Sequence, residues 1–326
     1  RQRQMCIRDR SINDLGNLFM FAGGLGMFLY GMHSMSSGIQ KTAGNKMKEL
    51  LGILTSNHLM AVIVGALVTA IIQSSGATTV MVVGFVNAGI LTLSQAVGVI
   101  MGANIGTTVT AWLISALGFK VDIAAFSLPL LAFGIPLLFS GKSSRKSVGE
   151  FIFGFSFLFM GLQALKANAP DLGANPEMLA FVQNYADMGF FSIILFLFIG
   201  AILTMIVQAS AATMAITLIM CANGWISLEL GAALVLGENI GTTITANLAA
   251  LTANTQAKRA ALAHFVFNVF GVIWVLIIFH PFMQLVNWVV DTFFQTSNPE
   301  VAISYKLSAF HSIFNLSLIH ISEPTR

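Results

Sequence analysis

Four short polar segments, each surrounded by strongly apolar sequence, carry the residues of this chain that could do chemistry. Residues 73–79 read QSSGATT, and residues 208–213 read QASAAT. Residues 102–108 read GANIGTT, and residues 237–243 read GENIGTT. Their amide, hydroxyl and backbone groups suit the binding of a small anion or a small hard cation, and none of the four contains Lys, Arg or His.

The four segments form two pairs with one spacing, since 208 − 73 and 239 − 104 both give 135 residues. One uniform offset across two separate polar segments indicates an internal duplication. Polar, helix-breaking segments at matching places in two halves of a membrane protein are typical of a transport site. The spacing therefore predicts transport rather than catalysis.

The composition sets the class of protein. The chain of 326 residues is 56% hydrophobic and only 9% charged, with a mean hydropathy of +0.83. Soluble domains normally carry about 25% charged residues. We therefore expect an all-α polytopic membrane protein.

Both ends of the chain look foreign to it. Residues 1–10 (RQRQMCIRDR) and 316–326 (LSLIHISEPTR) resemble translated sequencing-library adapters, so we expect both to be non-native and the natural chain to extend further. Leaving out their five arginines and two acidic residues lowers the formal net charge from +3 to zero. The basic charge of the full chain then comes from its two ends, so no nucleic-acid partner is predicted. Cys221 is left as a lone cysteine, so no intrachain disulfide is expected.

A membrane span needs about 20 mostly apolar residues. Four segments satisfy this without interruption: residues 15–39, 121–140, 148–165 and 260–279. Residues 91–117 and 228–251 are long enough, but each contains one of the Gly-x-Asn segments. Residues 282–294 are short and carry Trp288 and Asp291, which predicts an interfacial amphipathic helix. Another span begins at residue 301.

Two further apolar stretches behave differently, because a polar tip interrupts each. From residue 58 to residue 72 is about 22 Å of helix, against a hydrocarbon core of about 30 Å. We predict two re-entrant hairpins with tips near mid-membrane. The boundaries are a first repeat at 11–140 (hairpin 57–90, broken helix 91–118) and a second at 141–315 (hairpin 188–223, broken helix 228–253).

The two repeats are expected to be inverted. Basic residues cluster in three places: after the first span, between residues 141 and 147, and at Lys258 and Arg259. With hairpins that return to their own side, all three clusters lie on one face of the membrane, which the positive-inside rule makes the cytoplasmic face. Residues 28–32 (FLYGM) resemble residues 158–162 (LFMGL), which extends the repeat upstream. Three membrane crossings separate the start of the first repeat from the start of the second. Because this number is odd, the second repeat has the opposite orientation in the membrane.

Each polar segment has an expected role. Ser75 or Ser210 would cap the returning helix of its hairpin, whose free N–H groups form an anion site. Paired glycines around Asn104 and Asn239 would let the two broken helices unwind and expose carbonyl oxygens to Na⁺. Glu238 is the one acid in these segments, and its duplicate is Ala103. Since proton coupling usually leaves a chain of intramembrane acids or histidines, Na⁺ coupling is favoured.

A second repeated spacing has a more ordinary interpretation. His264 and Asn268 share the pattern His-x-x-Phe-Asn with His311 and Asn315, which lie 47 residues later, since 311 − 264 gives 47. A polar pair of this kind on a membrane helix is more often an interhelical hydrogen bond than a pair of ligands. Cys221 is expected to be inert packing.

In its two glutamine-containing segments, 73–79 and 208–213, the chain resembles the type II sodium–phosphate cotransporter family, which carries a Gln-Ser-Ser-Ser motif in each of two inverted repeats. The resemblance implies substrate binding by Gln73, Ser74, Ser75, Gln208 and Ser210. The neutral oxygens of the polar segments, rather than the resemblance, predict the Na⁺-binding residues: Thr78, Asn104, Thr107, Thr108, Thr213, Asn239, Thr242 and Thr243. The motif is incomplete here, since Gly76, Ala209 and Ala211 replace serines.

The function expected from the residues and the resemblance is sodium-coupled symport of inorganic phosphate by alternating access, in a bacterial inner (plasma) membrane. Its partners would be phosphate, Na⁺ as the coupling ion and the lipid bilayer. No other cofactor or metal is expected, and a homodimer is an assembly to be tested. Three alternatives remain open: a sodium-coupled transporter of another small anion, an anion channel, and a lipid-phosphate phosphatase. The phosphatase ranks last, because the polar segments lack a nucleophile with charged partners.

Overall fold

The computed structural model describes residues 2–53, 57–121, 123–169, 185–186 and 188–322, without the side chains of 2–15, 44–48, 50–53 and 320–322. Throughout these residues the secondary structure is helical and no strand occurs, so the all-α class is confirmed. Contacts divide the chain into two units: Arg1–Thr42 with Val121–Tyr185, and Ala43–Lys120 with Ala186–Arg326.

The helices follow the predicted apolar stretches closely. Their bounds are α1 Gln2–Ile53, α2 His58–Ile72, α3 Ser75–Asn87, α4 Leu93–Leu113, α5 Ala124–Leu138, α6 Ser143–Ala167, α7 Phe190–Val207, α8 Ser210–Ala222, α9 Leu228–Ala249, α10 Thr255–Ile277, α11 Phe279–Phe293 and α12 Pro299–Ser322. A π-helical segment, Ile114–Lys120, extends α4.

Within the part of the chain that the structure describes, five helical segments are long and apolar enough to cross a membrane: Gly16–Ala43, Leu93–Lys120, Ser143–Ala167, Phe190–Val207 and Thr255–Ile277. One of them is α7, the first helix of the second predicted hairpin. At 18 residues it would reach about 27 Å, whereas the 15 residues of α2 would reach about 22 Å. The re-entrant course of the two hairpins stays a prediction.

In the first unit, α1 packs closely on α6 through glycines. A Cβ added at Gly31 would come within 2.7 Å of the carbonyl oxygen of Gly154, and one added at Gly161 would come within 2.8 Å of that of Gly24. The two similar pentapeptides, 28–32 and 158–162, therefore meet where only glycine lets the backbones approach. Lys41 and Glu150 close the same contact with a salt bridge of 2.6 Å.

Helix α11 shows the predicted amphipathic pattern. Phe279, Phe282, Met283, Val286 and Val290 are buried along one stripe, at the 3-and-4-residue spacing of a helix face. On the opposite side Trp288 is exposed, and Asp291 forms a salt bridge with Lys306.

In the second unit, helix ends are set by local hydrogen bonds. Thr92 begins α4 with a capping box in which Thr92 and Gln95 each satisfy the other's backbone N–H. At the duplicated position, the Ser227 hydroxyl accepts a hydrogen bond from the Leu230 N–H at the start of α9. The duplication thus extends to the signals that start both helices, because 227 − 92 also gives 135.

The prediction that α4 and α9 are broken is wrong. Both run without interruption through their Gly-x-Asn segments, as Leu93–Leu113 and Leu228–Ala249. The glycines serve close packing instead: a Cβ at Gly106 would lie 2.5 Å from the Ala66 carbonyl oxygen, and one at Gly241 would lie 2.5 Å from that of Ala201. Small residues bring the backbones of α4 and α2, and of α9 and α7, into contact.

The expectation for the two chain ends is not decided by the structure. Helix α1 begins at Gln2, but its side chains up to residue 15 lie outside the described part. Helix α12 continues through residues 316–319, where Leu318 is buried, and ends at Ser322. A helical continuation is a property of these residues in the structure and does not bear on their origin.

Candidate functional site

In each stretch predicted to form a hairpin, the chain forms two helices joined by two residues. Helix α2 ends before Gln73, and α7 ends before Gln208. Both glutamines adopt the left-handed conformation, with φ of 58° and 53°, and they are the only non-glycine residues with positive φ among those described. A left-handed residue closes a helix by returning its N–H to an earlier carbonyl, here those of Thr69 and Thr204.

The two glutamine side chains differ in their surroundings. Gln73 is 9% exposed; its Oε1 accepts a hydrogen bond of 2.9 Å from the Thr110 hydroxyl, and its Nε2 donates to the Ala70 carbonyl. Gln208 is exposed to solvent, with no side-chain hydrogen bond to the described residues. The first tip is therefore held in place, while the second presents its amide freely.

The predicted caps at Ser75 and Ser210 are wrong by one residue. Ser74 is the N-cap of α3, and its hydroxyl accepts from the Ala77 N–H at 3.2 Å. At the matching position Ala209 precedes α8 and offers no side-chain cap. Ser75 and Ser210 are instead the first residues of their helices, because the left-handed glutamine leaves only one extended residue before the next helix begins.

The returning helices of the two hairpins pack crosswise against the opposite repeats. Helix α3 of the first hairpin packs against α9 of the second repeat, and α8 packs against α4 of the first. At the first tip, a Cβ added to Gly76 would lie 3.6 Å from Thr245 Cγ2. Thr245 is the duplicate of Thr110, since 245 − 110 gives 135. The first tip thus contacts Thr110 of its own repeat and Thr245 of the other.

Each hairpin is also closed internally by a pair of threonines. The Thr69 hydroxyl donates to that of Thr78, and the hydroxyls of Thr204 and Thr213 are hydrogen-bonded to each other, both at 3.0 Å. Thr78 and Thr213, two of the predicted Na⁺ ligands, have no exposed surface. Their hydroxyl groups therefore serve the hairpin in this structure.

The threonines on α4 and α9 bond within their own helices. Thr107 and Thr242 donate to the carbonyls of Ala103 and Glu238, at 3.0 and 2.9 Å. Thr108 and Thr243 donate in the same way to Ile105 and Ile240, at 2.8 and 2.7 Å. Donation uses the proton and leaves oxygen lone pairs available to a cation. Unwound carbonyls, the other predicted source of ligands, are absent because the helices are continuous.

Asn104 and Asn239 lie in two matching buried clusters, Asn104–His264–Asn268 and Asn239–His311–Asn315. Asn104 Nδ2 donates to Asn268 Oδ1 at 2.8 Å, and its Oδ1 accepts from His264 Nε2 at 3.2 Å. The second cluster repeats these bonds at 2.8 and 3.1 Å. These clusters tie α4 to α10 and α9 to α12, so the interpretation of the histidines as interhelical hydrogen-bonding residues is confirmed.

Several residues of this region were missed by the sequence analysis. They are Thr69, Thr110, Thr204 and Thr245. The signal was available, because 204 − 69 and 245 − 110 both give 135, the spacing of the polar segments. Thr69 and Thr204 each stand alone in apolar sequence, and Thr110 and Thr245 lie just beyond the ends of the polar segments, so none of the four belongs to a recognisable motif.

No charged side chain belongs to either tip. The tip segments contain no ionisable residue, and among the described residues no group of three or more His, Cys, Asp or Glu side chains could hold a metal ion. An anion at the tips would meet amides, hydroxyls and helix N-termini. This chemistry suits reversible binding and offers no nucleophile paired with a base.

The comparison with known families decides which kind of protein this is. The sequence model of the Na⁺/Pi-cotransporter family matches residues 27–167 and 181–290, which include both hairpins and both Gly-x-Asn helices. The chain belongs to this family. With its membrane-length helices, it is an integral membrane protein of a phosphate-transporting, sodium-coupled family.

Individual relatives agree with this family. The chain is 32% identical to Bacillus subtilis YqeW over 302 residues, 92% of this chain and 91% of that protein. It is 28% identical over 263 residues (80% of this chain) to Salmonella typhimurium YjbB, provisionally described as an inorganic phosphate export protein, and spans only 47% of its length. It is 33% identical over 105 residues to human sodium-dependent phosphate transport protein 2B, covering 32% of this chain and 15% of that protein. No solved structure matches.

Proposed function

We propose that this protein is a sodium-coupled transporter that moves inorganic phosphate by alternating access between two repeats. The crosswise packing of the hairpins carries the proposal. Each returning helix, α3 or α8, lies against the Gly-x-Asn helix of the other repeat. A binding site built from both repeats can be opened to either side of the membrane when the repeats move relative to each other.

The tips supply groups for an anion. The first turns of α3 and α8 begin at Ser75 and Ser210, and a helix N-terminus carries free N–H groups and a partial positive charge. Gln73 and Gln208 lie two residues before these serines, and Ser74 adds a hydroxyl to the first tip. We assign phosphate to these five residues. Neutral donors hold a dianion weakly enough for release, as transport requires.

Hydroxyl oxygens supply groups for Na⁺. Thr107 and Thr242, like Thr108 and Thr243, keep lone pairs after donating to their own helices. We assign the coupling cations to these threonines, with Thr78, Thr213 and the amide oxygens of Asn104 and Asn239 as further candidates. Hard neutral oxygens favour Na⁺ over transition metals.

We further propose that the repeats are inverted in a bacterial inner membrane. In a variant lacking the other cysteines, single cysteines at positions 46 and 144 should react only with reagent in the cytoplasm, and one at position 175 only with reagent outside. Ser144 is exposed, and the other two side chains lie outside the described residues. Labelling of positions 46 and 175 from the same side would contradict the inversion.

Uptake of radiolabelled phosphate into proteoliposomes tests the proposed function. An inward Na⁺ gradient should accelerate uptake and drive accumulation, and an equal K⁺ gradient should not. Saturable exchange without net Na⁺ coupling would contradict symport. Non-saturating flux in either gradient would indicate an anion channel, and release of phosphate from a lipid phosphate would indicate the phosphatase.

A second candidate is transport of another small anion by the same site. The observation that favours it is the difference between the tips, since Ala209 leaves α8 without the hydroxyl that Ser74 provides to α3. Competition by sulfate, arsenate and small carboxylates against labelled phosphate distinguishes the two. The relative described as an export protein makes outward flux a second direction to measure.

A further inference from the structure

Glu238 is the one acidic side chain in the duplicated polar segments, and it is buried in α9 with only 1% of its surface exposed. Its Oε2 atom has no hydrogen-bond donor among the described residues. The first repeat has Ala103 at the matching position, so the duplicated site differs here by one carboxyl group. A buried carboxylate without donors is costly unless a positive charge neutralises it.

The position of Glu238 on α9 relates it to the tip. Thr245 follows it by seven residues, close to two turns or about 10.5 Å along the helix, and therefore lies on the same side of α9. Thr245 faces Gly76 at the tip of the first hairpin. Gly231, seven residues before Glu238, faces Cys221 and Leu307. Glu238 thus lies on the inward stripe of α9 that leads to the proposed anion site.

The protein provides no cation for this carboxylate among the described neighbours. Of the helices packed on α9, α3, α7 and α8 contain no Lys or Arg. On α10, Lys258 and Arg259 are exposed, and on α12, Lys306 pairs with Asp291. Thr242 follows Glu238 by one turn of α9, and its hydroxyl proton is already donated to the Glu238 carbonyl.

We propose that the Glu238 carboxylate binds a Na⁺ ion that only the second repeat carries. The inference rests on the proposed function, which supplies Na⁺ as the coupling ion. Oxygens of a carboxylate and of neighbouring hydroxyl groups suit this hard cation. The two repeats then contribute unequally to coupling, and the extra ion offsets one charge of the phosphate.

The test compares Glu238→Gln, which keeps the shape and removes the charge, with Glu238→Ala, which copies the first repeat. Glu229→Gln is the matched control, because it removes an acid in the first turn of the same helix. Phosphate uptake is measured against Na⁺ concentration. Both Glu238 variants should raise the half-saturating Na⁺ concentration by at least about tenfold and lower the Hill coefficient, whereas the control should not.

Two outcomes overturn the inference while leaving the proposed function intact. One is wild-type Na⁺ dependence in both Glu238 variants. The other is a loss of pH dependence in Glu238→Gln with an unchanged Na⁺ response, which would assign the carboxyl to a proton. Phosphate titrates equally for every variant, so the comparison at each pH isolates Glu238.

Equilibrium binding of ²²Na⁺ to purified protein without phosphate tests the Glu238 site independently of phosphate transport. Loss of one bound ion in Glu238→Gln supports the site even if the wild-type protein transports no phosphate. If both variants fail to fold, infrared spectra of the wild-type protein decide. Addition of Na⁺ should strengthen the carboxylate bands at the expense of the protonated carboxyl band, and unchanged spectra would overturn the site.

Discussion

Replacing Gln73 with alanine is expected to weaken phosphate binding about threefold to a hundredfold, by removing one hydrogen bond to an anion worth about 0.5–3 kcal/mol. The structure adds a second loss, because Gln73 also accepts from the Thr110 hydroxyl at 2.9 Å. Gln208 has no such partner among the described residues. Gln73→Ala should therefore be more damaging than Gln208→Ala, as measured by half-saturating phosphate concentration in proteoliposomes.

The left-handed backbone of both glutamines requires a control. Alanine keeps the Cβ and with it the strain of about 1–2 kcal/mol that the glutamine already bears at a φ of 58°, whereas glycine adopts this conformation freely. Gln73→Gly and Gln208→Gly remove the same amides without that strain, so they should lose phosphate affinity equally but retain more thermal stability. The double glycine variant should bind less than either single one. Normal phosphate affinity in the folded double variant would refute the assignment of substrate to the tips.

Replacing Asn104 with leucine is expected to destabilise the protein by about 2–6 kcal/mol, because it leaves the His264 N–H and the Asn268 Oδ1 buried without partners at about 1–3 kcal/mol each. Asn239→Leu should have a similar effect, since its cluster has the same geometry. The measurement is the apparent Tm of the detergent-purified protein. Val109→Leu is the control, an apolar change at an exposed position of α4.

A double variant separates a structural role from ion binding. Asn104→Leu with Asn268→Leu removes the unpartnered oxygen, so its loss of stability should be smaller than the sum of the two single losses. A stable Asn104→Leu protein that has lost its Na⁺ dependence would contradict the structural role and support Asn104 as a cation ligand. An effect on both stability and Na⁺ affinity would indicate that the cluster positions an amide that also binds the ion.

The sequence by itself determined the class, the duplication and the location of the tips. Class follows from composition, because a chain with 9% charged residues cannot cover a water-facing surface. The tips at Gln73 and Gln208 follow from local chemistry, since a polar residue between two apolar helical stretches marks where each helix must end. The 135-residue offset is a property of the sequence alone, and the structure extends it to the capping residues Thr92 and Ser227.

Only the tertiary structure decided what the glycines and asparagines do. A Gly-x-Asn-x-Gly segment is equally compatible with an unwound helix and with a continuous helix in close contact with another backbone. The choice depends on whether α2 and α7 lie against it, which local sequence does not specify. Likewise, Asn104 forms hydrogen bonds with two residues of α10, His264 and Asn268, which lie 160 or more residues away in the sequence. Gly76 of the first repeat contacts Thr245 of the second. Such contacts arise from the packing of helices that are distant in sequence. The sequence could therefore indicate that a side chain forms an interhelical hydrogen bond, but not which residue is its partner.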